Sequence, residues 1–271
     1  MIPLILHQTG PDVLPQWTQD YIVTLKHWHP NWQYRFWSDS DLYSLVQTDY
    51  SWLLPEYNRC SNIERSDLGR YCILHKHGGV YVDTDMFFVA ALDQIIQREP
   101  HSIWLAHAGP VFPTSKPMLT NFIMASPPQH PFWLEVLNEA AHRLNTKKHP
   151  WWAVSKALTV PYMTGKNVLS AIALQKDFVN VFQEPEILNL HCRHTPVTIG
   201  CVAVHNGGTS RTFSSTGWNT LNGFIRVDCK IRKMLGIVPN SFQFPVCILV
   251  CVIFVVVVFI GVTFGIKLAH M

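Results

Sequence analysis

One stretch of the chain, residues 61–85, constrains the fold more than any other. It opens with Ser61-Asn62-Ile63-Glu64, a capping box that predicts the start of a helix running to about His77. Gly78-Gly79 then supplies the left-handed turn that ends a helix, and Val80-Tyr81-Val82 reads as a short buried strand. A helix joined to an apolar strand by two glycines predicts an α/β unit with largely parallel strand pairing.

The preceding residues follow a similar alternation of strands and helices. Ile2–His7 predicts a first strand, Trp17–His27 a helix and Tyr34–Trp37 a second strand, and Ser38–Asp41 has the spacing that opens another helix. Further strands are predicted at Ile103–Ala106 and Cys201–His205, and further helices at Phe132–Leu144 and Gly165–Gln175. We therefore expect an α/β fold in which strands and helices alternate along the chain.

The C-terminal segment has a different character from the rest. The 271 residues are 48% hydrophobic and only 14% charged, against about a quarter charged in soluble domains. The excess lies in Val246–Ile266, 21 residues without a charge, which is long enough to span a bilayer as a helix at about 1.5 Å per residue. We predict one globular domain over residues 1–240 and a transmembrane helix over 246–266, with a buried hairpin as the alternative.

The side of the membrane that the domain faces stays open. Lys230, Arg232 and Lys233 precede the apolar segment and Lys267 follows it, a bias that favours a cytosolic domain. The N-terminal run Met1–Leu6 lacks the basic region of a signal peptide and is too short for one, so we expect no signal peptide.

Composition excludes several classes of protein. Ten Trp and fifteen Phe residues require burial and argue against a disordered chain. The net charge is +3 and the basic residues are scattered, so nothing predicts nucleic-acid binding. Seven cysteines show no Cys-x-x-Cys pair, so neither a structural zinc site nor a disulfide framework is indicated.

Asp83-Thr84-Asp85 is the strongest candidate for a chemical site. It follows the predicted strand directly, and residues two apart in an extended segment face the same way. Two such carboxylates suit Mg²⁺ or Mn²⁺, which keep waters or substrate phosphates in their other positions. The alternative is an exposed turn with two solvated acids. A second copy of the pattern, Asp39-Ser40-Asp41, lies between Ser38 and an apolar helix and is interpreted as helix capping.

Asp67 and Arg70 form the second candidate pair, three residues apart on the predicted helix before this strand. A surface ion pair is one interpretation. The other is a functional pair in which the carboxylate binds sugar hydroxyls and the guanidinium binds hydroxyls or phosphate.

Three stretches together closely resemble the DXD-containing sugar transferases: Ile2–Thr9, Ile63–Tyr71 and Gly78–Asp85. Within that family they are most similar to the mannosyltransferases that modify inositol-phosphate sphingolipids. The resemblance covers most of residues 2–220. It implies a GT-A-like nucleotide-sugar-binding fold with a mixed, mainly parallel central sheet, a nucleotide-sugar donor, and Mn²⁺ or Mg²⁺ as cofactor.

The resemblance also implies roles for individual residues. Asp67, Arg70, Asp83 and Asp85 would form the catalytic set. Asp85 would bind the metal directly, Asp83 would contact the donor and share the metal, and His205 would be a further ligand. Asp67 and Arg70 would hold the transferred sugar, and Arg70 would help the diphosphate to leave. A simpler interpretation of His205 is a hydrogen-bonded residue at the end of a strand.

The remaining donor contacts come from the two ends of the domain. His7-Gln8-Thr9 would line the nucleoside pocket, and Trp218 would meet the diphosphate. The chain departs from the family pattern at Lys166, where proline is usual, and at Gly217, where serine is usual. We expect Lys166 to point to solvent.

The function implied is a metal-dependent, retaining transfer of mannose from GDP-mannose to an inositol-phosphate sphingolipid or a similar membrane-linked acceptor. Alternatives are a UDP-sugar-dependent transferase for a protein or glycan acceptor, a metal-dependent phosphohydrolase, and an inactive membrane adaptor with the same fold. The family also implies a single-pass protein of the Golgi or another endomembrane, and a regulatory subunit.

Overall fold

A computed structural model describes residues 1–107, 118–146, 156–182, 186–189 and 202–205. Its strands are β1 (Ile5–Thr9), β2 (Gln33–Trp37), β3 (Gly79–Val82), β4 (Met86–Phe88), β5 (Ile103–His107), β6 (Leu119–Ser126), β7 (Val179–Phe182), β8 (Ile187–Asn189) and β9 (Ala203–His205). Its helices are α1 (Gln19–Trp28), α2 (Asp39–Asp49), α3 (Leu54–Arg59), α4 (Asn62–His77), α5 (Asp93–Ile96), α6 (Phe132–Thr146), α7 (Lys156–Met163) and α8 (Lys166–Ala173).

Six strands form the main sheet in the order β2-β1-β3-β6-β5-β7. β1 pairs in parallel with β2 and β3, and β5 pairs in parallel with β7, whereas β6 runs antiparallel to β3 and β5. The predicted mixed, mainly parallel sheet is therefore confirmed. The antiparallel component comes from β6, a strand that the sequence analysis did not identify.

Helices pack against both faces of this sheet. Alternate strand residues, such as Tyr81, Leu105 and Met124, join the core that contains α2, α4, α6 and α8. Their neighbours along the strands, including Val80 and Trp104, enter a second core with α1, α5 and the smaller sheet. Because residues two apart share a face, Tyr81 and the Asp83 that follows β3 both lie on the side of α4.

Both predicted capping boxes are present. Ser38 and Asp41 exchange hydrogen bonds at the start of α2, as Ser61 and Glu64 do at the start of α4. Each pair satisfies backbone N–H groups that the first helical turn leaves without partners. The Asp39-x-Asp41 copy therefore belongs to a helix start, as predicted.

Gly78 and Gly79 end α4 in conformations that only glycine adopts readily. Gly78 has φ 63° and ψ −151°, and Gly79 has φ 85°. A Cβ on Gly79 would lie 2.6 Å from the backbone oxygen of Ile5. The two glycines therefore turn the chain directly from α4 into β3, beside β1.

The smaller sheet has the order β4-β9-β8 and connects distant parts of the chain. β4 begins immediately after the Asp83–Asp85 segment, and β9 pairs antiparallel with it. Among the described residues, no helix has the length and apolar character needed to cross a membrane. Val246–Ile266 lies outside the described residues.

Candidate active site

Three side chains of types that can bind a metal ion lie together after the end of β3. Asp83 and Asp85 follow that strand, and His205 is the last residue of β9. Pairing of β9 with β4 sets His205 opposite Met86, directly after Asp85 in the chain. Within the described part of the chain, Asp83, Asp85 and His205 each offer one ligand atom, and these atoms lie within 4.8 Å of one another.

Charge and burial are unusually concentrated in this cluster. Nε2 of His205 lies 3.3 Å from Oδ1 of Asp85 and 4.0 Å from Oδ2 of Asp83. Burial raises the pKa of Asp83, Arg70 opposes that change, and the carboxylate of Asp85 adds to it. Burial alone would lower the pKa of His205, but the two carboxylates raise it above its ordinary value. A positive charge between the two buried carboxylates would therefore stabilise them. Either a protonated His205 or a bound cation would supply that charge.

The donor set fits a divalent cation. Two carboxylate oxygens and one imidazole nitrogen are protein ligands for hard and borderline ions, and an ion of this kind keeps places for water and phosphate oxygens. A ligating His205 would be neutral, so a bound cation would replace a proton at Nε2. Asp83, Asp85 and His205 could therefore hold Mn²⁺ or Mg²⁺.

Asp83 is held from several directions. Its Oδ1 accepts a hydrogen bond from the Tyr81 hydroxyl at 2.8 Å and another from Nη1 of Arg70 at 3.1 Å. Its backbone N–H donates to the carbonyl of Phe122 at 2.8 Å, and its own carbonyl accepts from the Gln8 side-chain amide at 3.2 Å. These contacts fix the backbone and one carboxylate oxygen, while Oδ2 is the oxygen nearer His205.

Arg70 is buried and bonded within the protein. Nη1 donates to the backbone oxygen of Asn121 at 2.7 Å as well as to Asp83. Nε and Nη2 donate to the backbone and side-chain oxygens of Ser66, each at 3.3 Å. The guanidinium also lies over the Tyr81 ring, 4.6 Å from its centroid. In this structure Arg70 therefore supports the carboxylates rather than projecting toward a ligand.

Asp67 lies beside Arg70 in the same buried region, so the pair is not the surface ion pair considered as one interpretation. Its Oδ1 accepts from the Asn121 side-chain amide at 2.8 Å, and its Oδ2 accepts from the Thr164 hydroxyl at 3.0 Å. Nη2 of Arg70 is 3.6 Å from Oδ1. Burial raises the pKa of Asp67 to about 6, although Arg70 and both hydrogen bonds favour the carboxylate. Asp67 and Asp83 are thus linked through one guanidinium.

The three predicted residues of β1 have different positions. His7 is buried in the core, where Nδ1 accepts from the indole N–H of Trp37 at 3.1 Å and Nε2 donates to the Gly78 carbonyl at 3.0 Å. Burial lowers the pKa of His7 to about 3. Gln8 and Thr9 are closer to the carboxylates: Gln8 bonds to the backbone of Asp83, and Thr9 bonds to the hydroxyl of Tyr81 at 3.0 Å.

Residues 15–101 match the family described as the glycosyltransferase sugar-binding region containing DXD motif. The matched range contains Asp67, Arg70, Asp83 and Asp85. Over these residues the chain is therefore similar to the DXD-containing sugar transferases. His205 lies outside the matched range and joins the site through the pairing of β9 with β4.

Curated proteins similar to this chain are named as mannosyltransferases of inositol phosphoceramide. Inositol phosphoceramide mannosyltransferase 3 of Schizosaccharomyces pombe is 32% identical over 176 residues, which cover 63% of this chain and 44% of that protein. Inositol phosphoceramide mannosyltransferase 1 of the same organism is 26% identical over 245 residues, which cover 86% of this chain and 68% of that protein. The chain therefore spans less than half the length of the first of these homologues.

A solved structure that partly superposes on this chain is the PaToxG glycosyltransferase, at 14% sequence identity and a TM-score of 0.49. The superposition covers 64% of this chain and 69% of that one. In this chain the mixed central sheet has an Asp-x-Asp segment at a strand end, as expected for a GT-A-like fold.

Several residues of the site were not predicted from the sequence. The sequence predicts Tyr81 only as a strand residue, although its position two residues before Asp83 indicates that the two side chains share a face. Asn121 and Phe122 lie on β6, and Thr164 precedes α8. No spacing signal joins these three to Asp67 or Asp83, because their contacts connect residues more than 35 positions apart.

Two further predictions concern Lys166 and the Gly217-Trp218 segment. Lys166 is the first residue of α8 and is partly buried rather than freely exposed, and burial lowers the pKa of its ammonium group. Trp218 and Gly217 lie outside the described residues.

Proposed function

We propose that this chain is a metal-dependent retaining glycosyltransferase that transfers mannose from GDP-mannose to an inositol-phosphate sphingolipid or a similar membrane-linked acceptor. The observation that carries the proposal is the cluster of Asp83, Asp85 and His205 within 4.8 Å, beside the buried Asp67–Arg70 pair. The names of its homologues support mannose as the sugar and inositol phosphoceramide as the acceptor.

A bound divalent cation would neutralise negative charge on the departing diphosphate. Asp85 and His205 would hold it, and Asp83 would share it through Oδ2 while Oδ1 stays bonded to Tyr81 and Arg70. Asp67 would accept hydrogen bonds from sugar hydroxyls, in an orientation set by Asn121 and Thr164. The site thereby contributes mainly orientation and fixed charge.

The transfer step would conserve configuration at the anomeric carbon. The acceptor oxygen would form a bond to that carbon from the face that the diphosphate leaves, while the bond from carbon to the β-phosphate oxygen breaks. The proton of the acceptor hydroxyl would pass to the departing phosphate oxygen. The protein would align the two oxygens and exclude water from the buried pair of acids.

We further propose that residues 1–240 form one catalytic domain and that Val246–Ile266 anchors it to an endomembrane such as the Golgi. A tether would raise the effective concentration of a lipid acceptor at the site without any new contact. A regulatory subunit is an additional partner suggested by the family. Protease protection of sealed vesicles would determine which side of the membrane the domain faces.

The test is binding followed by turnover. The purified full chain in detergent is melted with GDP-mannose, UDP-glucose or UDP-galactose, each with and without Mn²⁺. We expect GDP-mannose with Mn²⁺ to raise the melting temperature, and mannose to appear on inositol phosphoceramide in mixed micelles. A shift with a UDP-sugar alone would favour the alternative donor class, and no shift with any donor would support the inactive adaptor.

A further inference from the structure

A continuous chain of hydroxyl groups connects Arg70 to Asp83 by a second route. Nη2 of Arg70 lies 3.3 Å from Oγ of Ser66, which lies 3.0 Å from Oγ1 of Thr9. Oγ1 of Thr9 is in turn 3.0 Å from the Tyr81 hydroxyl, which lies 2.8 Å from Oδ1 of Asp83. The same Oδ1 also accepts a hydrogen bond from Nη1 of Arg70. The hydrogen bonds therefore form a closed loop.

The two ends of this loop determine the direction of every hydrogen bond in it. A guanidinium can only donate, and an ionised carboxylate can only accept. Ser66 must therefore accept from Arg70 and donate to Thr9, Thr9 must donate to Tyr81, and the Tyr81 proton is left for Asp83. Each hydroxyl uses its single proton within the loop.

The loop has a consequence for the orientation of Asp83. Rotation of a carboxylate about its last torsion is broad and nearly two-fold. Two donors, from Tyr81 and Arg70, converge on Oδ1 and restrict that rotation. Oδ2 is then left on the side of His205, 4.0 Å from Nε2.

We propose that Tyr81, Thr9 and Ser66 are positioning residues whose hydroxyl groups hold Asp83 in the orientation that binds the cation. The inference rests on the proposed function for the presence of a cation at Asp83, Asp85 and His205. It assigns to three hydroxyls of β1, β3 and α4 a role that the sequence-based predictions do not include. Outer groups that orient a ligand typically change metal affinity by about 10- to 100-fold when they are removed.

The probe is Mn²⁺ alone, titrated into the full chain in detergent and followed by the paramagnetic signal of the free ion. Tyr81→Phe removes the last donor of the loop, and we expect it to weaken Mn²⁺ binding about tenfold. Thr9→Val removes a middle member of the loop, and we expect it to weaken Mn²⁺ binding less than Tyr81→Phe does. Thr9→Ser retains the hydroxyl and should keep the Mn²⁺ affinity of the wild type.

The matched control is Tyr50→Phe. Tyr50 is another buried tyrosine of the same core, and its hydroxyl contacts the Cys72 carbonyl at 3.0 Å and Nδ1 of His75 at 2.8 Å, away from the carboxylates. The Tyr50→Phe variant should lose about as much stability as the Tyr81→Phe variant, but it should keep the Mn²⁺ affinity of the wild type. Melting curves of every variant would separate a loss of fold from a loss of affinity.

Failure of this inference differs from failure of the proposed function. Wild-type affinity in both Tyr81→Phe and Thr9→Val, or equal weakening in Tyr50→Phe, would overturn the positioning role while leaving the transferase intact. Tight Mn²⁺ binding without any response to sugar nucleotides would overturn the proposed function and leave the positioning role standing. A wild-type chain that binds no Mn²⁺ would contradict both.

Discussion

The ring of Phe122 lies flat against the imidazole of His205, with centroids 4.2 Å apart and planes inclined by 7°. The carbonyl of Phe122 also accepts the backbone N–H of Asp83. One residue of β6 therefore touches two of the three candidate metal ligands. Because Phe122 is almost fully buried, it can restrict the imidazole as well as fill the core.

Phe122→Leu should weaken Mn²⁺ binding several-fold, because the smaller side chain no longer stacks on His205. The accompanying loss of stability should be about 1 kcal/mol, as for other hydrophobic substitutions in cores. The measurements are Mn²⁺ titration and urea unfolding. Phe88→Leu, at a buried position of the same core, should cost similar stability and leave Mn²⁺ binding unchanged. Equal affinity in the two variants would show that the stacking has no part in metal binding.

Asp85→Ala should abolish Mn²⁺-dependent donor turnover while the domain stays folded. The substitution removes one of the three candidate ligands, and it also relieves repulsion between two buried carboxylates, so we expect the fold to be retained. Turnover and melting temperature are measured together, with EDTA added to the wild type as the metal-free reference. Asp39→Asn in the other Asp-x-Asp copy, at the first turn of α2, should retain full turnover. Turnover by Asp85→Ala would refute the metal assignment.

Arg70→Lys should lower kcat and weaken Mn²⁺ binding, because a single ammonium group cannot reproduce the bonds to Asp83, Asn121 and Ser66. If Arg70 instead bound the donor alone, KM would rise and the affinity for Mn²⁺ would stay constant. Arg65→Lys on the same helix provides the control. Arg65 donates to the backbone oxygens of Tyr57 and Asn58, so we expect this variant to keep both kcat and Mn²⁺ affinity.

The stability of the fold should depend on pH through His7. The folded state keeps His7 neutral down to a pKa of about 3, whereas the unfolded chain binds a proton near pH 6.5. Protons therefore favour the unfolded state between these values, and lowering the pH from 8 to 5 should cost about 2 kcal/mol from this residue.

His7→Gln removes that proton-binding site, so the stability difference between wild type and variant should shrink by about 2 kcal/mol from pH 8 to pH 5. Urea unfolding at several pH values measures the difference. A stability difference that stays constant with pH would mean that His7 has the same pKa in the folded and unfolded chains, and would contradict its burial as a neutral group.

Gly79→Ala should destabilise the domain by about 3 kcal/mol or more, because it combines a positive φ with a contact to the Ile5 backbone that cannot yield. Gly10→Ala is the comparison. An added Cβ at Gly10 meets the side chains of Leu14 and Phe36, and Leu14 can move, so the cost should be about 1 kcal/mol. Urea unfolding curves of the two variants give the difference.

Local sequence signals were sufficient for much of this fold. The capping boxes at Ser38 and Ser61 mark where α2 and α4 begin, and the glycines at 78 and 79 mark the entry into β3. These signals act over three or four residues, so neighbours in the chain contain all the information. The placement of Asp83 and Asp85 after a strand followed from the same kind of pattern.

Tertiary structure decided how the site is assembled. His205 reaches Asp85 because β9 pairs with β4, more than 115 residues earlier in the chain. Asn121 arrives on β6, an antiparallel strand that carries no turn or spacing signal relating it to Asp67. The tertiary contacts of Arg70, Tyr81 and Thr9 decide which oxygen of Asp83 accepts hydrogen bonds. They also decide which oxygen would be available to a cation. Such contacts arise from packing between helices and strands, and no periodicity along the sequence predicts them.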